Sequence, residues 1–206
     1  MERTVGMAPR IAQGSFKDNR VLGWVFPRLA GVVEGTGPMA VFGIIGRHRK
    51  LFRAWLHFSG RLLAGGRLRR RDTELIILRV AHLRGCEYEW QHHVRMGARV
   101  GFDAERIEAV RQGPGAEGWN DRQRTLLTAV DHLHHDQDLD DSTWAALREH
   151  LDEETALEFL FLVGHYEMLA TVLTTLRVEP DPPATGTAKR VHDRIAGLAE
   201  QRAKRV

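Results

Sequence analysis

The stretch RDTELIILRVAHLRGCEYEWQHH, residues 71–93, contains two helical patterns separated by a glycine. In the first part, apolar residues recur at intervals of three and four, which predicts an amphipathic helix that begins near Asp72, a suitable N-cap. Gly85 breaks this pattern. A second helix is predicted from about Cys86 to Arg99, with Gly101 as its C-terminal stop. The stretch therefore predicts two successive helices joined by a tight turn.

The same periodicity continues on both sides of this stretch, and strand alternation is absent from the sequence pattern. Asn120 and Ser142 are candidate N-caps of two later helices, and Gly65 and Gly66 end an earlier one. Residues 1–37 are expected to be irregular. The further predicted helices cover residues 48–63, 103–113, 121–135, 141–151, 153–176 and 191–206. The pattern predicts an all-α fold.

The composition indicates one globular domain, because 43% of the 206 residues are apolar. We divide the chain into an N-terminal extension (1–37), a helical domain (38–178), and a linker with a polar C-terminal helix (179–206). The helix over residues 153–176 is apolar nearly all round, as is typical of a central core helix or a subunit interface. Its apolar run FLFLV, with the neighbouring Leu157, Met168 and Leu169, predicts a homo-oligomer.

Charge and cysteine content argue against several classes of protein. A single cysteine forms no intramolecular disulfide, and neither a signal peptide nor an unbroken apolar run of about 20 residues is evident. A cytoplasmic protein without a membrane partner is expected. The net charge is +3, and the basic runs at residues 67–71 and 201–206 are interpreted as solvated surface rather than a nucleic-acid site.

The second helix of the stretch brings several ionisable side chains together. Helical spacing places Cys86, Glu89, Trp90 and His93 on one face. Tyr88 and His92 point elsewhere. Glu89 and His93 are one turn apart and can hydrogen-bond, and a carboxylate beside an imidazole is a common acid–base arrangement. Spacing alone leaves two interpretations open: a reactive site, or a polar helix surface with a structural thiol.

The block RDTELIILRVAHLRGCEYEWQHHVRMGARVGFDAERIEAV, residues 71–110, resembles the conserved block of the carboxymuconolactone decarboxylase family, which includes the alkylhydroperoxidase D-like proteins. The resemblance extends over roughly residues 38–178. It implies the helical bundle of the alkylhydroperoxidase D-like type. It also implies a homo-oligomer, commonly a trimer or hexamer with a dimer as the alternative, whose sites lie near subunit contacts.

The resemblance also implies roles for individual residues. In the peroxidase members, a glutamate, a Cys-x-x-Cys pair and a histidine form a proton relay, and Glu74, Cys86 and His93 match the glutamate, the first cysteine and the histidine. The second cysteine is replaced by Glu89, and the histidine within the pair is replaced by Tyr88. A disulfide between these positions is therefore impossible. The decarboxylase members, whose chemistry needs proton transfer rather than redox sulfur, are the closer likeness.

Three functions remain open at this point. The first is an enzyme that needs no cofactor and acts by proton transfer on a small organic acid or lactone. The second is a thiol antioxidant that acts through Cys86 alone, and the third is a non-catalytic family member. Trp90 is a candidate substrate contact, although it also suits the core. His165 is a second acid–base candidate if the 153–176 helix lines the site.

The run HLHHD, residues 132–136, is the main candidate for a metal site, because imidazole and carboxylate are good ligands for transition metals. The run lies at the C-terminal end of a predicted helix, where the helix dipole favours histidine. We interpret it as a polar helix end and expect no metal. Since the sequence lacks a phosphate-binding glycine loop, we expect no nucleotide cofactor.

Overall fold

The architecture follows from a chain that is helical almost throughout. The computed structural model describes residues 8–203, with side chains up to residue 197, and these residues form helices and no strand. The predicted all-α class is confirmed. The helices are α1 (Phe16–Glu34), α2 (Ala40–Ile45), α3 (Arg49–Ala64), α4 (Arg70–Leu83), α5 (Glu87–Arg99), α6 (Ala104–Gln112), α7 (Asp121–His135), α8 (Asp141–His150), α9 (Glu153–Leu176) and α10 (Gly186–Ala203).

The chain divides into two compact units. The described part of the first comprises residues 8–56 and 176–203, and the second comprises residues 57–175. The sequence analysis placed boundaries at residues 37/38 and 178/179, which differ from this division. Those boundaries delimit a family domain rather than a compact unit, and they stay a prediction. The basic run at residues 201–206 lies largely outside the described residues, as does the beginning of the N-terminal extension.

The expectation of an irregular N-terminal segment is wrong for α1. This helix contains Pro27, which cannot donate to the carbonyl of Gly23 four residues before it. The buried Asn19 amide donates to that carbonyl at 3.3 Å and also to the Gly43 carbonyl at 2.8 Å. The side chain therefore supplies a donor to the carbonyl that proline leaves without one. Helix α1 is kinked at Arg20, whose φ is 56°. Within the same unit, α10 packs on α1, where the imidazole Nδ1 of His192 lies 3.0 Å from the Val32 carbonyl.

In the second unit, two predicted N-caps are wrong and one is confirmed. Helix α4 begins at Arg70, after Arg69, because the Asp72 carboxylate instead accepts the Nε–H of Arg122 at 2.8 Å. Helix α8 is capped by Asp140, whose side chain accepts the Thr143 N–H. Ser142 is therefore the second residue of the helix rather than its cap. Asn120 caps α7 as predicted, with a complete capping box.

The core of the second unit is built around α4 and α9. Residues 72–81 of α4 are buried without interruption. Among them, Leu75 and Leu78 belong to an apolar cluster that also contains Trp90 and Trp119. Inside this core, the guanidinium of Arg79 pairs with both carboxylate oxygens of Asp131, at 2.6 and 2.8 Å, which ties α4 to α7. Helices α4 and α5, which carry the candidate site, therefore both contribute side chains to this core.

Helix α9 differs from the expectation that no segment is apolar enough to cross a membrane. Among the helices of residues 8–203, it alone has the length and composition of a membrane span, with an 18-residue window of mean hydropathy 1.5. Because His165, Tyr166 and Glu167 interrupt its apolar runs, the sequence pattern did not show this. Of that window, 44% is buried within the chain, as in a core helix of a folded domain.

Candidate functional site

A sharp turn between α4 and α5 creates the candidate site. Gly85 adopts a left-handed conformation (φ 59°), which glycine reaches without a steric cost. The Cys86 N–H then donates to the Ala81 carbonyl at 2.9 Å, so that α5 begins immediately after the turn. The predicted start of α5 is confirmed, with Cys86 as its N-cap. The turn directs α5 back along α4 and brings residues 19 positions apart into contact.

The resulting centre is an imidazole between two carboxylates. The Nδ1 of His93 lies 2.7 Å from Oε2 of Glu74 on α4, and its Nε2 lies 3.3 Å from Oε2 of Glu89 on α5. Glu74 is 0% exposed, and the other two residues are buried. The structure therefore brings together three of the residues that the sequence proposed. We refer to Glu74, His93 and Glu89 as the relay.

The surroundings of His93 stabilise its protonated form. Burial alone lowers the pKa of an imidazole, since it penalises the charged form. The carboxylates of Glu74 and Glu89 outweigh this penalty and raise the pKa of His93 to about 9. His93 is therefore protonated at neutral pH, and each of its nitrogens presents a proton to a carboxylate.

Arg70 extends this arrangement and was missed by the sequence analysis. Its Nη2 lies 2.5 Å from Oε1 of Glu74, one helical turn away on α4. The buried carboxylate of Glu74 is thus flanked by a guanidinium and an imidazole. With both acids ionised and His93 protonated, the two positive and two negative charges balance. The four-residue spacing of Arg70 and Glu74 was a signal for this pair in the sequence.

The thiol of Cys86 lies beside the relay but is poorly suited to act as a nucleophile. The residue is 3% exposed. Burial raises the pKa of the Cys86 thiol to about 11, and the negative charge of Glu89 adds to this rise. Hydrogen bonds from the Thr174 side chain and from the backbone of Glu89 and Tyr88 act in the opposite direction but do not outweigh it. A thiolate is the reactive form, so the local environment disfavours sulfur chemistry.

Tyr88 and Trp90 each pack against a side chain outside the relay. The Tyr88 ring packs on His92 with centroids 4.6 Å apart, which agrees with the prediction that these two residues point away from the Glu89 and His93 face. The indole of Trp90 belongs to the apolar core cluster and lies under the guanidinium of Arg111 at 4.1 Å. A substrate contact for either residue stays a prediction.

Helix α9 contributes two further rings to the site. Tyr166 meets His93 edge-on with centroids 5.2 Å apart, and His165 contacts Tyr166 at the same distance. Burial, followed by the charges of Glu89 and Glu74, raises the pKa of Tyr166 well above its ordinary value. Burial lowers the pKa of His165, which Glu89 partly opposes. A substrate or acid–base role for His165 stays a prediction, and Tyr166, the residue in contact with His93, was not proposed from the sequence.

The histidines at the end of α7 have a different environment. His134 lies 2.7 Å from Oε1 of Glu167 on α9, and Glu167 also pairs with Arg84 at 3.4 Å. Among the residues whose side chains the structure describes, no cluster of three or more histidine, cysteine and acidic groups has the arrangement of a metal site.

A cavity in the second unit lies beside Arg70, which pairs with Glu74 of the relay. The cavity has a volume of about 440 Å³ and lies against the end of α3 and the beginning of α4, with Met96 of α5 in its wall. Arg70, the partner of Glu74, also lines it. A small molecule in this cavity would therefore reach the guanidinium that pairs with the relay.

Comparison with known proteins agrees with this geometry. Residues 49–132 match the model of the carboxymuconolactone decarboxylase family, and this segment contains Arg70, Glu74, Cys86, Glu89 and His93. A comparison with curated proteins finds no match.

Solved structures of similar fold include three that cover most of this chain. The debrominase Bmp8, in complex with 2,3,4-tribromopyrrole, is 16% identical with a TM-score of 0.68, over 90% of this chain and 96% of its own. An uncharacterised peroxidase-related protein from Silicibacter sp. TM1040 is 14% identical with a TM-score of 0.72, over 85% of this chain and 95% of its own. An alkylhydroperoxidase AhpD core protein from Ralstonia eutropha JMP134 is 17% identical with a TM-score of 0.69, over 85% and 94%. At these identities the likeness shows the fold, and the predicted alkylhydroperoxidase D-like bundle is confirmed.

Proposed function

Because the chain carries a carboxymuconolactone decarboxylase family domain over residues 49–132, we propose that it is an enzyme that moves protons on a small organic acid or lactone. One observation carries the proposal: the buried imidazole of His93 lies between the carboxylates of Glu74 and Glu89, at 2.7 and 3.3 Å. Burial, which raises the pKa of the neighbouring Cys86 thiol, favours the same conclusion. A carboxylate stands where a peroxidase of this family would have its second cysteine. Proton transfer needs no redox sulfur and is therefore compatible with this replacement.

In the proposed mechanism, Glu89 and His93 act on the substrate and Glu74 positions His93. The Glu89 carboxylate accepts a proton from a carbon next to the carbonyl, and the electron pair of the broken C–H bond enters the enolate. If the substrate instead loses CO₂, the electron pair of the broken C–C bond stays on the carbon next to the carbonyl. His93 then passes its Nε2 proton to the Glu89 carboxylate, and Glu89 delivers it to that carbon. Solvent then restores that proton. Glu74 fixes the orientation of the imidazole through Nδ1.

Separate substitutions of Glu89 and of Cys86 test this proposal. We expect Glu89→Gln to lower turnover by about 10²-fold or more, the usual scale for loss of an acid–base group. Cys86→Ser should keep most of the activity, because the thiol takes no part in proton transfer. Both variants would be assayed on a panel of lactones and organic acids, by substrate loss, CO₂ release and deuterium incorporation from D₂O. Loss of turnover in Cys86→Ser together with full turnover in Glu89→Gln would refute the proposal.

A thiol antioxidant is the second candidate, and the position of Cys86 at the N-cap of α5 favours it. Helix N-termini stabilise thiolates, and backbone hydrogen bonds reach this sulfur. The burial of the thiol and the charge of Glu89 count against it. Peroxide reduction with an external thiol as reductant, run on the same variants, separates the two candidates, since only the antioxidant depends on Cys86. A non-catalytic family member would show no activity in either assay.

We also propose that the protein assembles into a homo-oligomer through α9. Four large apolar side chains on this helix are exposed in the single chain: Leu157 (56%), Phe161 (51%), Met168 (50%) and Val172. Leu169, expected to contribute, is buried in its own core instead. A second copy of the same helix offers matching apolar surface, and burial of such a stripe favours association.

Light scattering at micromolar concentration tests the assembly. The native chain should have a mass above that of the monomer, and Phe161→Glu should lower this mass by placing a charge in the contact. Val21→Glu is the matched control, because Val21 is 64% exposed on α1 and lies outside the α9 surface. A monomeric native chain would contradict the proposal.

A further inference from the structure

The cavity beside the relay has an apolar wall that carries a positive charge. The charge is the guanidinium of Arg70, and the rest of the lining is mainly apolar, with one hydroxyl: Leu62, Leu63, Ala64, Gly66, Leu68, Thr73 and Met96. At about 440 Å³ it has the size of a site for a small organic molecule. An apolar wall with one charged group selects a ligand with a matching character: an apolar body that carries one charge of opposite sign.

Arg70 is held in place at two points and keeps further donors for a ligand. Its Nη1 donates to the Leu63 carbonyl at 2.6 Å, and its Nη2 pairs with Glu74 at 2.5 Å. A guanidinium has five N–H donors, so these two contacts fix its plane and leave others available. The side chain is 39% exposed, which gives a ligand access to it. A guanidinium oriented in this way can bind a carboxylate through two parallel hydrogen bonds.

We propose that Arg70 binds the carboxylate of the substrate, and that the ligand of this cavity is a monocarboxylic acid with an apolar body. This inference rests on the proposed function, since it names the substrate class of that same site. A monoanion fits the local charges better than a phosphate dianion. Arg70 is the charged side chain in the cavity wall and also pairs with Glu74, so each additional negative charge on a ligand adds repulsion from that carboxylate.

The position of Arg70 places a bound acid next to the relay on two helices. Arg70 lies one turn before Glu74 on α4, and Met96 lies three residues after His93 on α5. A carboxylate bound to Arg70 is therefore separated from His93 by the Glu74 side chain, which contacts both residues. It also competes with Glu74 for the guanidinium, which leaves more of the negative charge of Glu74 to His93. Substrate binding and the protonation of the relay are thereby coupled.

Equilibrium binding of benzoate and benzamide to the full chain tests the proposal, because the two probes have nearly the same shape and differ in charge. By calorimetry or ligand-observed NMR, the native protein should bind benzoate at least about tenfold more tightly than benzamide, the scale of a charge-assisted hydrogen bond. Arg70→Gln should abolish this preference while leaving benzamide binding within about twofold. Inorganic phosphate should compete with benzoate only weakly.

Arg69→Gln is the matched control, because Arg69 is the adjacent exposed arginine and does not line the cavity. It should keep the full preference for benzoate. Arg70→Lys, which retains the charge but not the planar fork, should keep part of it. Circular dichroism on each variant establishes that it is folded, and Arg70→Lys provides the test if Arg70→Gln is not.

Three results would overturn the proposal: equal binding of the two probes by the native protein, an unchanged preference in Arg70→Gln, or an equal loss of preference in Arg69→Gln. The measurement needs no turnover, so its outcome is separate from that of the Glu89→Gln assay. Arg70-dependent benzoate binding with full activity in Glu89→Gln would refute the proton-transfer function and leave the binding site in place. The reverse pair of outcomes would refute the carboxylate site alone.

Discussion

The beginning of α5 and the end of α7 present the same chemistry in two different settings. Residues 86–93 and residues 132–136 are both dense in histidine and carboxylate, and each contains an imidazole whose Nδ1 lies 2.7 Å from a glutamate oxygen on another helix. Judged by composition or by this distance, the two regions are equivalent candidates for a site.

Burial and the second carboxylate separate them. The side chain of His93 is 5% exposed and has Glu89 at its second nitrogen, whereas that of His134 is 16% exposed and its glutamate is shared with Arg84. In a buried setting, water screens the charges less, so each carboxylate acts more strongly on the imidazole. The candidate site is therefore distinguished by an imidazole enclosed by two acids, rather than by a single His–Glu contact.

Loss of each imidazole in turn should give the largest difference between the two regions. We expect His93→Ala to lower turnover by about 10²-fold or more, because it removes the proton donor of the relay. His134→Ala is the matched control and should leave turnover within about twofold. Steady-state kinetics on the substrate found for the native protein, with circular dichroism as a check of folding, measures both. Similar losses in the two variants would remove the distinction between the regions.

The pH dependence of stability should distinguish His93 at the level of free energy. The folded-state pKa of His93 is about 9, raised from 6.5, so the folded chain holds a proton that the unfolded chain releases between these values. The stabilisation is therefore complete below about pH 6.5 and is lost as the pH rises to about 9, by on the order of 3 kcal/mol.

Denaturant unfolding of the native chain and of His93→Gln between pH 6 and pH 9 measures this effect. The native chain should lose stability more steeply than the variant, and the difference between the two curves isolates the contribution of His93. His134→Gln should follow the native curve. Parallel curves for the native chain and His93→Gln would show that the imidazole is not held protonated by the two carboxylates.

The smallest effect is expected at the end of α7. Glu167→Gln removes the ion pairs to His134 and Arg84 but leaves a side chain that can still hydrogen-bond, so the free energy of unfolding should fall by only about 0.5 to 1 kcal/mol. Chemical denaturation at pH 7 measures this change, and turnover should be unaffected. A loss of several kcal/mol, or a loss of activity, would mean that the α7 region supports the site more directly than the comparison implies.

Local features were predictable where neighbouring residues decide them. The starts of α5 and α7 follow from Cys86, the Gly85 break and the Asn120 capping box, because these contacts lie within a few residues in the sequence. The N-caps of α4 and α8 were misplaced by three and two residues, since competing acceptors are close together in the chain. Helix α1 could not be predicted from local rules alone, because Asn19, which donates to the Gly23 carbonyl, is also bound to the Gly43 carbonyl of α2.

For the candidate site, the sequence by itself determined the pair Glu89 and His93, since a spacing of four residues places both side chains on one helical face. The resemblance to a family then pointed to Glu74 and Cys86. Only the tertiary structure decided that Glu74 reaches Nδ1 of His93, that Tyr166 packs against that ring, and that Cys86 is buried. Helical periodicity fixes which residues are neighbours along one helix. Distances between helices, and the burial that sets the charge state of each group, depend on how α4, α5 and α9 pack together.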